Sequence, residues 1–205
     1  MPSHEVSGVT IVPTKELIVA AGPNGAGKST FVGRFLAERP MPYLCADAIA
    51  AAFSHLDPMS QQIAAGREFL RRTEAQLAGE ADFVVETTLS GRTMRSHLAR
   101  AREAGFEITI VFIYLDSADT CVVRVRERVR RGGHSVPEDD IRRRFSRSCA
   151  NFWHVYREIA DQWVVYYNGG SGLAEVAFGY PDGFAVCHED LFSRFLEYAE
   201  DAGHG

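Results

Sequence analysis

Eight consecutive residues, Gly22-Pro23-Asn24-Gly25-Ala26-Gly27-Lys28-Ser29, satisfy the pattern GxxxxGK[ST] at every fixed position. The flanks suit it. Residues 17–21 are a short apolar run that reads as a buried strand. From Lys28 to Arg39, Phe31, Phe35 and Leu36 fall at helical spacing until Pro40 ends the pattern. A strand, a glycine-rich turn and a helix in that order make a phosphate cradle. Glycine lets backbone N–H groups curl around phosphate oxygens without interference from a Cβ, and the helix points its positive end at the same anion. In this geometry Lys28 reaches the β- and γ-phosphates, the Ser29 hydroxyl ligates Mg²⁺, and Thr30 completes the loop. The implied ligand is a nucleoside triphosphate with magnesium.

The rest of the chain alternates in the same way. Apolar strand signals fall at residues 43–46, 83–85, 108–115 and 163–167, and helical spacing at 48–53, 59–79, 92–104, 118–131, 138–161 and 189–202. Alternation of this kind predicts an α/β fold with a five-stranded parallel sheet, right-handed crossovers and helices on both faces. The 205 residues suit one domain over 1–205, with a helical lid near 124–147 and a Gly-rich C-terminal extension, 168–205, that has room for a hairpin. Cys45, Cys121, Cys149 and Cys187 include no CxxC pair and read as reduced core thiols. Residues 1–15 lack the features of a signal peptide, and no apolar window reaches the about 18 to 20 residues of a membrane span. A cytoplasmic protein without a membrane partner is expected. The net charge of −5 argues against a general nucleic-acid binder.

Ligands of parallel α/β sheets bind at the carboxyl ends of the strands, and two acids sit at such ends. Asp47 can accept a proton from an attacking hydroxyl or hold the magnesium water shell, and it is equally placed to cap the helix that follows. Glu86 suits a Walker B acid, holding Mg²⁺ through water, or a substrate ligand, with Thr87 and Thr88 beside it. Leu89-Ser90-Gly91 matches the opening of the ABC-transporter signature but directly follows a strand, so it reads as a turn. Nine of the 22 basic residues lie between Arg124 and Arg147. Arg124 and Arg128 share a helix face before a Gly132-Gly133 break, and Arg142, Arg143, Arg144 and Arg147 follow it. They make either an arginine lid over a triphosphate or a solvated face of ion pairs such as Glu138 with Arg142. His134, in the break, touches phosphate or stabilises the loop.

Residues 22–31, Cys45-Ala46-Asp47-Ala48-Ile49-Ala50, Glu86-Thr87-Thr88-Leu89-Ser90-Gly91, Arg131-Gly132-Gly133-His134-Ser135-Val136-Pro137 and Ile141-Arg142-Arg143-Arg144-Phe145, extended by Arg147-Ser148 and Asn151-Phe152, form an ordered set. Over roughly residues 16 to 168 the chain resembles the short branch of the zeta toxin family, often described as predicted ABC-type ATPases. The resemblance implies a P-loop NTPase of the nucleotide-kinase type with strand order 2-3-1-4-5. It also implies phosphorylation of UDP-N-acetylglucosamine by ATP, and a small helical antitoxin as a partner. By the resemblance Asp47 is the catalytic base, Glu86 contacts the sugar substrate, Arg124 lies near adenine and Arg128 near the γ-phosphate. Arg144 is expected as a second lid arginine, with Arg143 next. Cys45 stands where the family usually has asparagine, and the chain is shorter than toxins of established substrate.

Two classes of function are therefore expected. One is a kinase using ATP in preference to GTP, with Mg²⁺ and a small acceptor such as a nucleotide sugar. The other is a nucleotide-dependent switch with no acceptor pocket. A kinase acting on nucleic-acid ends is a third reading, kept by the arginines and disfavoured by the charge. All three need the P-loop lysine. The Lys28→Ala variant is expected to lose productive MgATP binding, read by calorimetric titration, and unchanged affinity and turnover would contradict the motif reading.

Overall fold

The structure, a computed structural model, describes residues 15–133, 135–170 and 172–200. Its centre is β1 (Lys15–Ala21), where Leu17, Val19 and Ala21 point to one face and Ile18 and Ala20 to the other. All five are buried, as a strand covered on both sides requires. Parallel neighbours flank it: β3 (Phe83–Thr87) on one side and β4 (Phe106–Tyr114) on the other. β2 (Tyr43–Cys45) pairs outside β3, and β5 (Gln162–Gly169) outside β4, both parallel.

The sheet does not stop at five strands. β6 (Gly172–Tyr180) and β7 (Gly183–Val186) add an antiparallel hairpin to the edge of β5, giving the order β2-β3-β1-β4-β5-β6-β7. The expected five-stranded parallel sheet is thus corrected to a mixed sheet of seven. Residues 168–187, Gly-rich with room for a hairpin, do form one, and its Val176 and Ala177 are fully buried beside a register shift opposite Val165 and Tyr166.

Helices cover both faces. On one side lie α1 (Lys28–Glu38), α5 (Ala118–Arg130) and the first turns of α6 (Glu138–Asn151), through Val32, Val122, Val125, Ile141 and Phe145. On the other lie α3 (Pro58–Leu77), α4 (Met94–Glu103), α7 (Glu189–Glu200) and a π-helical turn, Phe152–Tyr156. Helix α6 serves both layers, because Cys149 near its end packs with the second group. The expected helix over 138–161 therefore ends ten residues early and widens into the π-turn. The short α2 (Ala46–Ala51) links β2 to α3, whose N-terminus is capped by Asp57 Oδ1 accepting from Met59 and Ser60 N–H at 3.1 Å. Cys121 and Cys149 are buried free thiols, as expected, whereas Cys187 is exposed. No helix among the described residues is long and apolar enough to cross a membrane.

Aromatic packing ties α7 to the sheet. Phe195 is fully buried, with its ring centroid 5.4 Å from that of Tyr114, 5.7 Å from Phe112 and 6.0 Å from Phe152. The Tyr114 hydroxyl donates to the Leu191 carbonyl at 2.7 Å. Truncation of so large a buried ring removes its transfer free energy and leaves a cavity. The Phe195→Ala variant is expected to lose about 3 to 5 kcal/mol of stability, read from the denaturant midpoint at unchanged slope.

Candidate active site

The first requirement of the site is backbone proximity. At Gly22, where φ is +135°, a Cβ would stand 2.0 Å from the Ile113 carbonyl oxygen, so the loop turns directly against β4. Gly27 has φ +99° and precedes α1, and a Cβ there would meet Asn168 Nδ2 at 2.4 Å. No side chain caps α1, which leaves its first-turn amides available to an anion.

Lys28 is 5% exposed, and its Nζ donates to the Pro23 carbonyl at 3.0 Å, arching back over the loop. Burial holds its pKa below the ordinary lysine value, while the charges of Glu86 and Asp47 act in the opposite direction. The two acids come from neighbouring strand ends. Glu86 is the fourth residue of β3, and its Oε1 accepts from the Ser29 hydroxyl at 2.9 Å. Its other oxygen accepts from the Tyr43 hydroxyl. Burial, then the hydrogen bond to Glu86, pushes the Tyr43 pKa far up, so this phenol stays a donor.

Asp47 is not the helix cap considered above. Cys45 holds that position without a side-chain bond, and Asp47 lies in the first turn of α2. Its Oδ2 accepts from Asn24 Nδ2 at 3.2 Å. Burial, and then the Glu86 charge, raise the Cys45 thiol pKa and so disfavour its thiolate.

These groups open on a cleft of about 540 Å³, lined by Gly25, Gly27, Lys28, Ser29, Thr30, Asp47 and Glu86 on one side and Arg124, Arg128 and Arg131 on the other. Gly22, Pro23, Asn24 and Ala26 build the loop behind it. The Ser29 hydroxyl and the Glu86 carboxylate, 2.9 Å apart, are hard oxygen donors beside a phosphate cradle, a set that fits Mg²⁺. Thr87 and Thr88 line a second pocket of about 260 Å³, with Ala46, Phe69, Ser90 and His97. The two spaces are adjacent in sequence terms, since Ala46 precedes Asp47 and Thr87 follows Glu86.

The arginines divide. Arg124, Arg128 and Arg131 follow i, i+4, i+7 spacing and face the cleft. Arg131 was missed by the sequence reading, although that spacing contains it. Arg142 pairs with Asp119 at 2.6 Å, Arg143 with Asp140 at 2.5 Å and Arg144 with Asp140 at 3.6 Å. Neither Arg143 nor Arg144 lines the cleft. Glu138 pairs with Arg126 rather than Arg142. His134 lies outside the described residues. Asn168 was also missed. Its Nδ2 donates to the Ala26 carbonyl at 2.7 Å, and its own carbonyl accepts from Arg124 at 3.0 Å. Its position near the carboxyl end of β5 was the available signal.

Residues 17–148 match the family model described as an AAA domain. The chain belongs to that family. An uncharacterized protein of Haemophilus influenzae is 28% identical over 134 residues, which cover 65% of this chain and 95% of that protein. Among solved structures, a chain of the AvrRxo1-ORF1:ORF2 complex with ATP superposes with a TM-score of 0.69 at 17% identity, over 89% of this chain. The present chain spans 63% of the length of that one. A chain of the PezAT chromosomal toxin–antitoxin system of Streptococcus pneumoniae matches with a TM-score of 0.62 at 11% identity, over 98% of this chain and 92% of its own. The fold is a kinase-like P-loop fold, in line with the resemblance to zeta toxins.

Asn168 ties the P-loop to β5 through one neutral hydrogen bond. Its replacement by alanine frees the Ala26 carbonyl and is expected to weaken MgATP binding about fivefold, the worth of roughly 1 kcal/mol, measured by calorimetry.

Proposed function

We propose that this protein is a kinase that transfers the γ-phosphoryl group of ATP to a hydroxyl of a small acceptor, UDP-N-acetylglucosamine or a related nucleotide sugar. The observation that carries the reading is the meeting of Asp47 and Glu86 with Lys28 and Ser29 in one cleft, beside a second pocket lined by Thr87 and Thr88. A switch protein needs the first space and has no use for the second. The ATP in the AvrRxo1 complex supports the choice of nucleotide.

In this reading the P-loop amides and Lys28 hold the β- and γ-phosphates, and Arg124 lies toward the base. Ser29 and Glu86, the latter through water, would hold Mg²⁺, which supplies charge neutralisation on the phosphate oxygens. Asp47 accepts the proton of the acceptor hydroxyl, and its bond from Asn24 fixes the carboxylate at the loop. Glu86, Thr87 and Thr88 orient the acceptor. Arg128, on the cleft wall, stabilises charge on the transferring group. Arg144 joins it if α6 moves toward the cleft and the Asp140 pair opens. Arg143 and His134 are proposed as acceptor-side residues. The two-component AvrRxo1 and PezAT assemblies support a small protein antitoxin as a partner.

Asp47→Asn separates this reading from the switch. The amide keeps the volume but cannot take a proton. Transfer to the acceptor, followed with labelled ATP and mass spectrometry across a panel of nucleotide sugars, is expected to fall by about 10² to 10⁴, with MgATP affinity little changed. Full transfer by the folded variant would refute the mechanism.

A further inference from the structure

The loop over residues 88–91 forms one wall of the second pocket, and its backbone is under constraint. Leu89 has φ +53°, a left-handed conformation that a leucine holds only when its surroundings over-determine it. Local bonds supply part of the constraint. Thr87 Oγ1 accepts from Leu89 N–H at 3.3 Å, and the Thr88 and Ser90 hydroxyls lie 2.9 Å apart. These leave the carbonyls of the loop to be satisfied from elsewhere.

Two side chains from the end of α6 do so. Asn151 Nδ2 donates to the Leu89 carbonyl at 2.8 Å, and the Tyr156 hydroxyl donates to the Gly91 carbonyl at 2.7 Å. Residues five apart on an α-helix stand about 140° apart around the axis and would not reach one loop together. Here Asn151 ends α6 and Tyr156 ends the π-turn, where Arg157 N–H bonds to the Phe152 carbonyl at 3.0 Å. The wider turn brings the two side chains nearly into line. The turn is itself fixed. Phe152 and Tyr156 are fully buried, and the Phe152 ring stacks on Phe112 at 4.5 Å.

We propose that Asn151 and Tyr156 are positioning residues for the acceptor: they hold the 88–91 loop so that the pocket wall is formed before the acceptor arrives. The inference rests on the kinase reading in taking this pocket as the acceptor's. Its chemistry suits a ring with one apolar face and several hydroxyls, since Phe69 and Met94 line one part and Thr87, Thr88 and Ser90 another. The opposite end of α6 is bonded to α5, through Arg142 to Asp119 at 2.6 Å and Arg126 Nε to Glu138 at 2.9 Å. One helix thus connects the nucleotide-facing arginines of α5 with the acceptor wall.

The test uses Asn151→Ala and Tyr156→Phe in the full chain, with two readouts. Amide hydrogen exchange without ligand is expected to rise about tenfold in the 87–91 segment and to stay unchanged in the P-loop, the result of losing one well-formed bond. With the acceptor that the wild-type protein phosphorylates best in the nucleotide-sugar panel, the acceptor KM is expected to rise about tenfold while the MgATP Kd stays within twofold. Tyr156→Phe keeps the buried ring, so it reports on the hydroxyl even where Asn151→Ala folds poorly. Unchanged exchange in both folded variants, or an unchanged acceptor KM, would overturn the proposal while leaving the kinase reading intact. A wild-type protein that phosphorylates no acceptor would remove the kinase reading instead, and the exchange measurement would still decide whether the clamp exists.

Discussion

A lysine ammonium buried to 5% exposure needs compensation, and the architecture of the site follows from that need. Taking Lys28 out of water costs several kcal/mol unless opposite charge and hydrogen-bond acceptors stand close by. The Pro23 carbonyl gives one acceptor, and Glu86 and Asp47 give the charge. Those carboxylates can converge only if β2 and β3 end beside the P-loop, which is where the parallel pairing of β3 with β1 puts them. Glu86 in turn is held by Ser29 and Tyr43, and Asp47 by Asn24. Each charged group at the centre of the cleft is thus held by at least one neighbour before a ligand arrives.

The same logic of over-determination extends outward from the loop. Gly22 brings the cradle against β4, and Asn168 ties its far side to β5. Helix α5 lines the space opposite the cradle, and α6 packs beside it, with arginines that differ in state. Arg124 and Arg128 of α5 face the cleft, while Arg142, Arg143 and Arg144 of α6 are engaged with acids of their own hairpin. A fixed cradle under a helical pair whose ion pairs are exposed is a division of rigidity. Exposed pairs are worth about 0 to 1 kcal/mol each, little beside the charge of a triphosphate. The β6–β7 hairpin and α7 add no group to the cleft lining. They cover the face on which the π-turn sits, and so help to anchor Asn151 and Tyr156.

Much of this was legible in order along the chain. The P-loop, the acids near the ends of β2 and β3, and the Arg124–Arg128 stripe are local patterns, and the structure puts them around one cleft. Where the reading and the structure differ, the cause is sometimes local and sometimes a distant pairing. A cap role for Asp47 stood beside the base role because Ala48 begins a helical pattern, yet the helix starts at Ala46 and Cys45 holds the cap position. Residues 168–187 left room for a hairpin, but that it joins the edge of β5 and extends the sheet leaves little mark on composition. Arg144 was expected in the lid, and in this arrangement its guanidinium pairs with Asp140, four residues earlier, at 3.6 Å.

The sequence by itself determined the phosphate cradle and the alternation of strand and helix. Both are short-range matters: glycine torsions, helix polarity and hydrophobic period act within a few residues. Only the tertiary structure decided which arginines face the cleft, that Asn168 closes the back of the loop, and that Asn151 and Tyr156 meet a loop more than sixty residues away. Those contacts depend on which strand lies beside which and on how far a helix is overwound or widened at its end. Such choices arise from the sum of packing over both faces of the sheet, to which no single segment of the chain holds the key.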